Sequence, residues 1–123
     1  MTTIIEQLKK AGYKQTAMIS LYGNASIYRT FDSIEAGKYR LSCQGSESHY
    51  CSPREYLSID RYNSLEVAVF NSKGKMINIA KSSVLRKFPQ YDELLEYSDG
   101  YILAWLPVEL LDKLFNYLKN YKS

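Results

Sequence analysis

The chain has 123 residues, 16 lysines and arginines against 13 aspartates and glutamates, a net charge of +3, and hydrophobic and charged fractions of 46% and 24%. That make-up is poorly matched to disordered, collagen-like or membrane-spanning classes, and the charge is too small to name a polyanionic partner by itself. At this size about two-thirds of the unfolded chain's surface is buried on folding, enough for one core in a single domain spanning residues 1–123.

The first predicted element is a helix. Thr3 stands as its cap, Glu6 three residues on as the other half of a capping box, and Gly12 ends it. Ile4, Ile5, Leu8 and Ala11 form the apolar side, and Lys9 and Lys10 complement the dipole in the last turn. This N-terminus lacks the apolar stretch and cleavage site of a secretory signal, so the expected compartment is the cytoplasm.

From Thr16 the period becomes two, with Ala17, Ile19 and Leu21 alternating against Met18, Ser20 and Tyr22. Gly23-Asn24 supplies a turn and Ser26 to Phe31 returns as the partner of a hairpin. A short connection, Asp32 to Gly37, leads to a strand from Lys38 to Gln44, with Tyr39, Leu41 and Cys43 facing in and Arg40, Ser42 and Gln44 facing water. Gly45 to Asn63 has no sustained period and is rich in polar residues, which reads as an exposed loop with at most a short strand or turn near Tyr56 to Ile59.

Ser64 to Phe70, Asn71 to Gly74 and Lys75 to Ile79 read as a central hairpin, with Gly74 at the position that takes positive φ. Ser82 or Ser83 caps a short helix through Val84, Leu85 and Phe88, and Pro89 resets the chain into another around Asp92 to Tyr97. Tyr101 to Leu106 has the length of a strand, and Pro107 opens a last helix with a stripe of Leu110, Leu111, Leu114, Phe115, Leu118 and Tyr121. The expected fold class is α+β: an antiparallel, meander-like sheet of five or six strands, flanked mainly on one side by the N- and C-terminal helices.

Twelve tyrosines stand beside one tryptophan, one histidine and two cysteines. Tyrosine gives rigid amphipathic contact area, whereas acid–base and metal chemistry draws on histidine, cysteine and clustered carboxylates, so the inventory favours binding over catalysis. An A/T-rich genome raises tyrosine, lysine and asparagine together, a second origin for the same bias. Charge is segregated along the chain: Lys73, Lys75, Lys81, Arg86 and Lys87 precede Asp92, Glu93, Glu96, Asp99, Glu109 and Asp112, a pattern that fits two solvated faces.

Cys43, Glu47, His49 and Cys51 are the one cluster with ligand chemistry, but the spacing is not that of a zinc finger and a fourth soft ligand is missing, so no metal or other cofactor is expected. A Cys43–Cys51 disulfide is disfavoured by a reducing cytosol, and a Cys–His nucleophile has no marked orienting partner.

The leading expectation is a non-catalytic protein-binding module, its contact residues Glu47, His49, Tyr50, Arg54, Tyr56, Arg61 and Tyr62. By analogy of size and composition it fits a bacterial or phage inhibitor, of the toxin-immunity or anti-defence (anti-CRISPR-like) kind, with a toxin, a defence component or a second copy of itself as partner and no membrane. The alternative is a nucleic-acid-binding accessory protein using Arg29, Arg40, Arg54 and Arg61 on an exposed sheet face, where guanidinium groups neutralise phosphates and tyrosines stack on bases.

Overall fold

Residues 3–19, 25–45, 49–53 and 57–121 are described by the structure, a computed structural model. Helix α1 spans Ile4–Ala11 and starts as its sequence dictates: the Glu6 N–H donates to the Thr3 hydroxyl at 3.2 Å, and Gly12, at φ 83°, donates its own N–H back to the Leu8 carbonyl. One backbone donor of this helix end that has no partner within the helix is met from the far end of the chain, where the Ile4 N–H donates to Asp112 Oδ1 at 2.7 Å. Asp112, which the charge pattern assigned to a solvated acidic face, therefore pins α1 to the C-terminal helix.

Strand β1 (Tyr13–Ile19) pairs antiparallel with β2 (Ala25–Phe31), from Tyr13 opposite Phe31 to Ile19 opposite Ala25. The predicted hairpin pairing is there, starting three residues earlier than its alternation begins; its Gly23-Asn24 turn lies outside the described residues. The two strands form a separate ribbon, while β3 (Ile34–Ala36), β4 (Tyr39–Gln44), β5 (Ser64–Phe70), β6 (Ser98–Asp99) and β7 (Ile102–Pro107) make a five-stranded antiparallel sheet in the order β3-β4-β5-β7-β6. The connection predicted over Asp32 to Gly37 thus contains a short strand of its own. Gly37, at φ 64°, turns β3 into β4 beneath the C-terminal helix, where a Cβ would lie 2.8 Å from the Leu118 carbonyl oxygen.

Two short helices, α2 (Ser83–Arg86, capped by the Ser82 hydroxyl) and α3 (Tyr91–Leu95), cross between β5 and β6. Helix α4 (Val108–Asn120) follows Pro107 and buries Leu110, Leu111, Leu114, Phe115 and Leu118. With α1 beside it, α4 covers the sheet face carrying Ile34, Leu41, Cys43, Leu65, Val67 and Leu103, so helices and sheet share one core. The strand predicted over Lys75 to Ile79 does not form. The turn does, with Gly74 at φ 79° and the Lys73 and Lys75 N–H groups both on Asn71 Oδ1, but only Met76 bridges back to Phe70. Strand β7 already pairs with β5 from Ser64 to Ala68, so the returning chain finds only the last residues of that edge open and coils into a 3₁₀ turn at Ile79–Lys81.

A side chain joins the ribbon to the sheet. Gln44 was expected to face water, yet it is buried and completes a rung in place of a strand: its Oε1 accepts from the Phe31 N–H at 2.7 Å and its Nε2 donates to the Phe31 carbonyl at 2.9 Å. Gln44→Leu would leave both backbone groups buried without their partner, and should lower unfolding free energy in urea by about 2–3 kcal/mol. An unchanged midpoint would mean that the ribbon is held by other contacts.

Candidate aromatic binding site

The described residues of the polar segment between β4 and β5 are anchored far more firmly than those of an exposed loop. His49, Cys51, Ile59 and Tyr62 are buried, and a 3₁₀ turn occupies Ile59–Arg61. At Tyr50 the backbone is clamped on both sides: its N–H donates to Glu66 Oε2 of β5 at 3.0 Å, and its carbonyl accepts the Trp105 N–H of β7 at 2.9 Å. Two residues on, Ser52 bridges to Ser64. Residues 50–52 are thus bonded to β5 and β7, and Tyr50 is set in place through its own N–H and carbonyl.

What frees the Trp105 N–H for this bond is a β-bulge. Leu106 opposes Leu65 and Leu103 opposes Val67, so Ala104 and Trp105 together face the single residue Glu66. Trp105 absorbs the extra residue at φ 53°, a left-handed backbone that ordinarily belongs to glycine. The bulge turns Leu103 and Leu106 both inward and Trp105 out, where it is 47% exposed and lies against Tyr50, itself 46% exposed, with ring centroids 5.0 Å apart. The strand predicted over Tyr101 to Leu106 has no glycine to mark this step, and a strict period of two would have put Trp105 on the same inward face as Leu103.

Tyr50, Tyr97 and Trp105 line an open cleft of about 520 Å³ together with Glu96, Ser98, Asp99 and Ala104. It is held on both rims: the Ala104 N–H donates to the Tyr97 carbonyl, and Ser98 and Asp99 pair with Leu103 and Ile102. Tyr101, 49% exposed, stands in the adjoining β6–β7 turn. Holding a non-glycine residue in the left-handed region costs on the order of 1–3 kcal/mol, so the fold gives up stability to present an indole to solvent. Trp105→Gly is accordingly expected to unfold at higher urea than Trp105→Ala, by about 1 kcal/mol, both lacking the indole and differing in tolerance of positive φ. Equal stability of the two variants would show that no strain is stored there.

Of the predicted contact residues that are described, Tyr50 alone lines this cleft. Glu47, Arg54 and Tyr56 lie outside the described residues. His49 and Tyr62 are corrections: at 6% and 5% exposure both are core groups. Arg61 is exposed, but in the turn beside α1, next to the Asp60–Lys9 ion pair of 3.1 Å. Arg29, predicted on an exposed sheet face for nucleic acid, is 7% exposed; its Nη2 donates to the Gly45 carbonyl and to Tyr62 Oη, both at 2.8 Å, and its guanidinium lies 4.8 Å from the centre of the Phe31 ring. The reason is alternation itself, since Arg29 and Phe31 share a strand face and Phe31 points into the core. Arg40 is exposed and holds Glu35 and Ser33.

Cys43 and Cys51 are buried thiols that are not joined in a disulfide, and among the described residues no three His, Cys, Asp or Glu side chains gather as they would around a metal ion. Burial pushes the Cys43 thiol far above the usual thiol range. Its raised folded-state pKa contributes stability that is full below the unfolded thiol's value, about 8.5, and declines as pH rises beyond it. Native protein should thus resist thiol-directed reagents at pH 8 while guanidinium exposes both thiols, and its urea midpoint should fall from pH 8 to 10 by more than that of Cys43→Ala. Rapid native labelling of Cys43 would contradict this burial.

No family model, curated protein or solved structure matches this chain. Among the described residues no helix is long and apolar enough to cross a membrane.

Proposed function

We propose that this chain is a non-catalytic protein-binding module whose contact surface centres on Tyr50 and Trp105. The observation that carries this reading is an exposed indole, lying tilted against an exposed phenol, on a bulge whose left-handed backbone ordinarily belongs to glycine. Tryptophan and tyrosine are the residues most enriched among energetic hot spots, and their energy is realised when a partner excludes water from around them. Rigid placement matters equally, because an anchor whose backbone is already bonded to the Glu66 carboxylate and the Trp105 N–H has less freedom left to lose on binding.

In this reading Tyr50 is what the described residues of the segment between β4 and β5 contribute, and β7 with the β6–β7 turn supplies the rest. The proposed setting is that of a small bacterial or phage inhibitor of the toxin-immunity or anti-defence kind, acting in the cytoplasm on a toxin or defence component; what supports it is size and composition.

The test is quantitative capture from bacterial lysate with the wild-type chain and with Tyr50→Ala/Trp105→Gly as baits. A protein recovered in near-stoichiometric amount by the first and lost with the second supports the reading. Equal recovery on both baits sinks it.

A further inference from the structure

We propose that the cleft beside Trp105 receives an arginine side chain of the partner protein, its guanidinium stacked on the Tyr50–Trp105 pair and held by Glu96 and Asp99. This deepens the binding-module reading and rests on it.

Among the described residues, three aromatic side chains and two carboxylates line the cleft, and no lysine or arginine does. Both carboxylates are exposed, and among the described residues neither Glu96 nor Asp99 has an ion-pair partner. In a chain whose net charge is +3, this is a local reversal of sign. Cations are drawn to the negative faces of indole and phenol rings, and a carboxylate at the rim adds a directed ion pair. Arginine suits the combination better than lysine, because a planar, weakly hydrated guanidinium stacks on a ring while its edge N–H groups still reach carboxylate oxygens. Two larger clefts lack this complementarity: beside α1, Lys9 is already paired with Asp60 and Arg29 is turned to Gly45 and Tyr62, and the groove along α4 carries Glu109 and Lys113 together.

Trp105 is the chain's one tryptophan, so its emission reports on this cleft alone. The full chain would be titrated at low ionic strength with the blocked tripeptide Gly-Arg-Gly and with its neutral isostere carrying citrulline. The expected result is a saturable change in emission with the arginine peptide, about tenfold weaker binding of the citrulline peptide, and a similar loss in Glu96→Gln/Asp99→Asn with an unchanged urea midpoint. No saturable change, or equal responses to the two peptides, would overturn the assignment. The lysate baits separate its failure from that of the broader reading. Full recovery of the partner on Glu96→Gln/Asp99→Asn, with loss on Tyr50→Ala/Trp105→Gly, removes the arginine and leaves the contact surface standing, whereas full recovery on both removes the two together.

Discussion

Arg29→Ala is expected to destabilise the fold by about 3 kcal/mol, a large part of the 5–15 kcal/mol that holds a domain of this size together. The guanidinium donates two charge-assisted hydrogen bonds, to the Gly45 carbonyl and Tyr62 Oη, each worth about 1.5–3 kcal/mol in such settings. It also lies over the Phe31 ring at 4.8 Å and the Tyr13 ring at 5.7 Å, a further contribution of about 1 kcal/mol. Release of the buried charge to water offsets part of that sum. The loss would propagate, because Tyr62 Oη also accepts the Leu57 N–H and so ties the segment before β5 to the ribbon. Urea unfolding measures it, with Arg29→Lys expected to fall between wild type and alanine because it keeps the charge without the fork. A wild-type midpoint for Arg29→Ala would restore the solvated, sheet-face arginine that the composition suggested.

Binding should respond to a different pair. Tyr50→Ala and Trp105→Gly are each expected to weaken partner affinity by about 2 kcal/mol, roughly 30-fold apiece, as large aromatic anchors at an interface centre do. Because the two rings touch, the double variant should lose less than the sum. Stability should move little: loss of the ring contact, about 0.5–1.5 kcal/mol, is countered by relief of the left-handed strain at residue 105. Affinity and stability are thereby uncoupled, which separates a contact residue from a structural one. Parallel losses of affinity and melting temperature would assign the pair to the fold.

The elements that were legible in the sequence are those whose signals are local. Helix α1 was readable from Thr3, Glu6 and Gly12, β5 from Val67, Val69 and Phe70, and α4 from Pro107 and the leucine stripe, each a case where cap or pattern speaks for itself. The bulge at Ala104–Trp105 left no such mark, since the residue that takes positive φ there is a tryptophan, which prefers other backbone. Nor did the polar composition of Gly45 to Asn63 disclose that His49, Cys51, Ile59 and Tyr62 are buried, because what holds the segment lies far away in sequence: Glu66 and Ser64 on β5, Trp105 on β7, Arg29 on the ribbon, and α1 beside the Ile59–Arg61 turn. Gln44 standing in for a strand rung and Asp112 holding the start of α1 are likewise long-range pairings of residue types that usually face water. For Arg29 the signal was present, in its sharing a face with Phe31, and the usual exposure of arginine obscured it. The cleft followed the same logic: Tyr50 was singled out as a tyrosine in a loop, while Tyr97, Glu96, Asp99 and Trp105 join it through the β6–β7 pairing and the bulge.

Oxidative footprinting of the captured complex tests the aromatic contact surface most directly, since hydroxyl radicals modify exposed tryptophan and tyrosine in proportion to their access. Trp105 and Tyr50 start half-exposed, and Tyr13, 52% exposed on β1 and outside the cleft, serves as the internal reference. The account predicts strong protection of Trp105 and Tyr50 in the complex with Tyr13 modified as in the free chain. Protection of Tyr13, with Trp105 and Tyr50 as reactive as before, would contradict it.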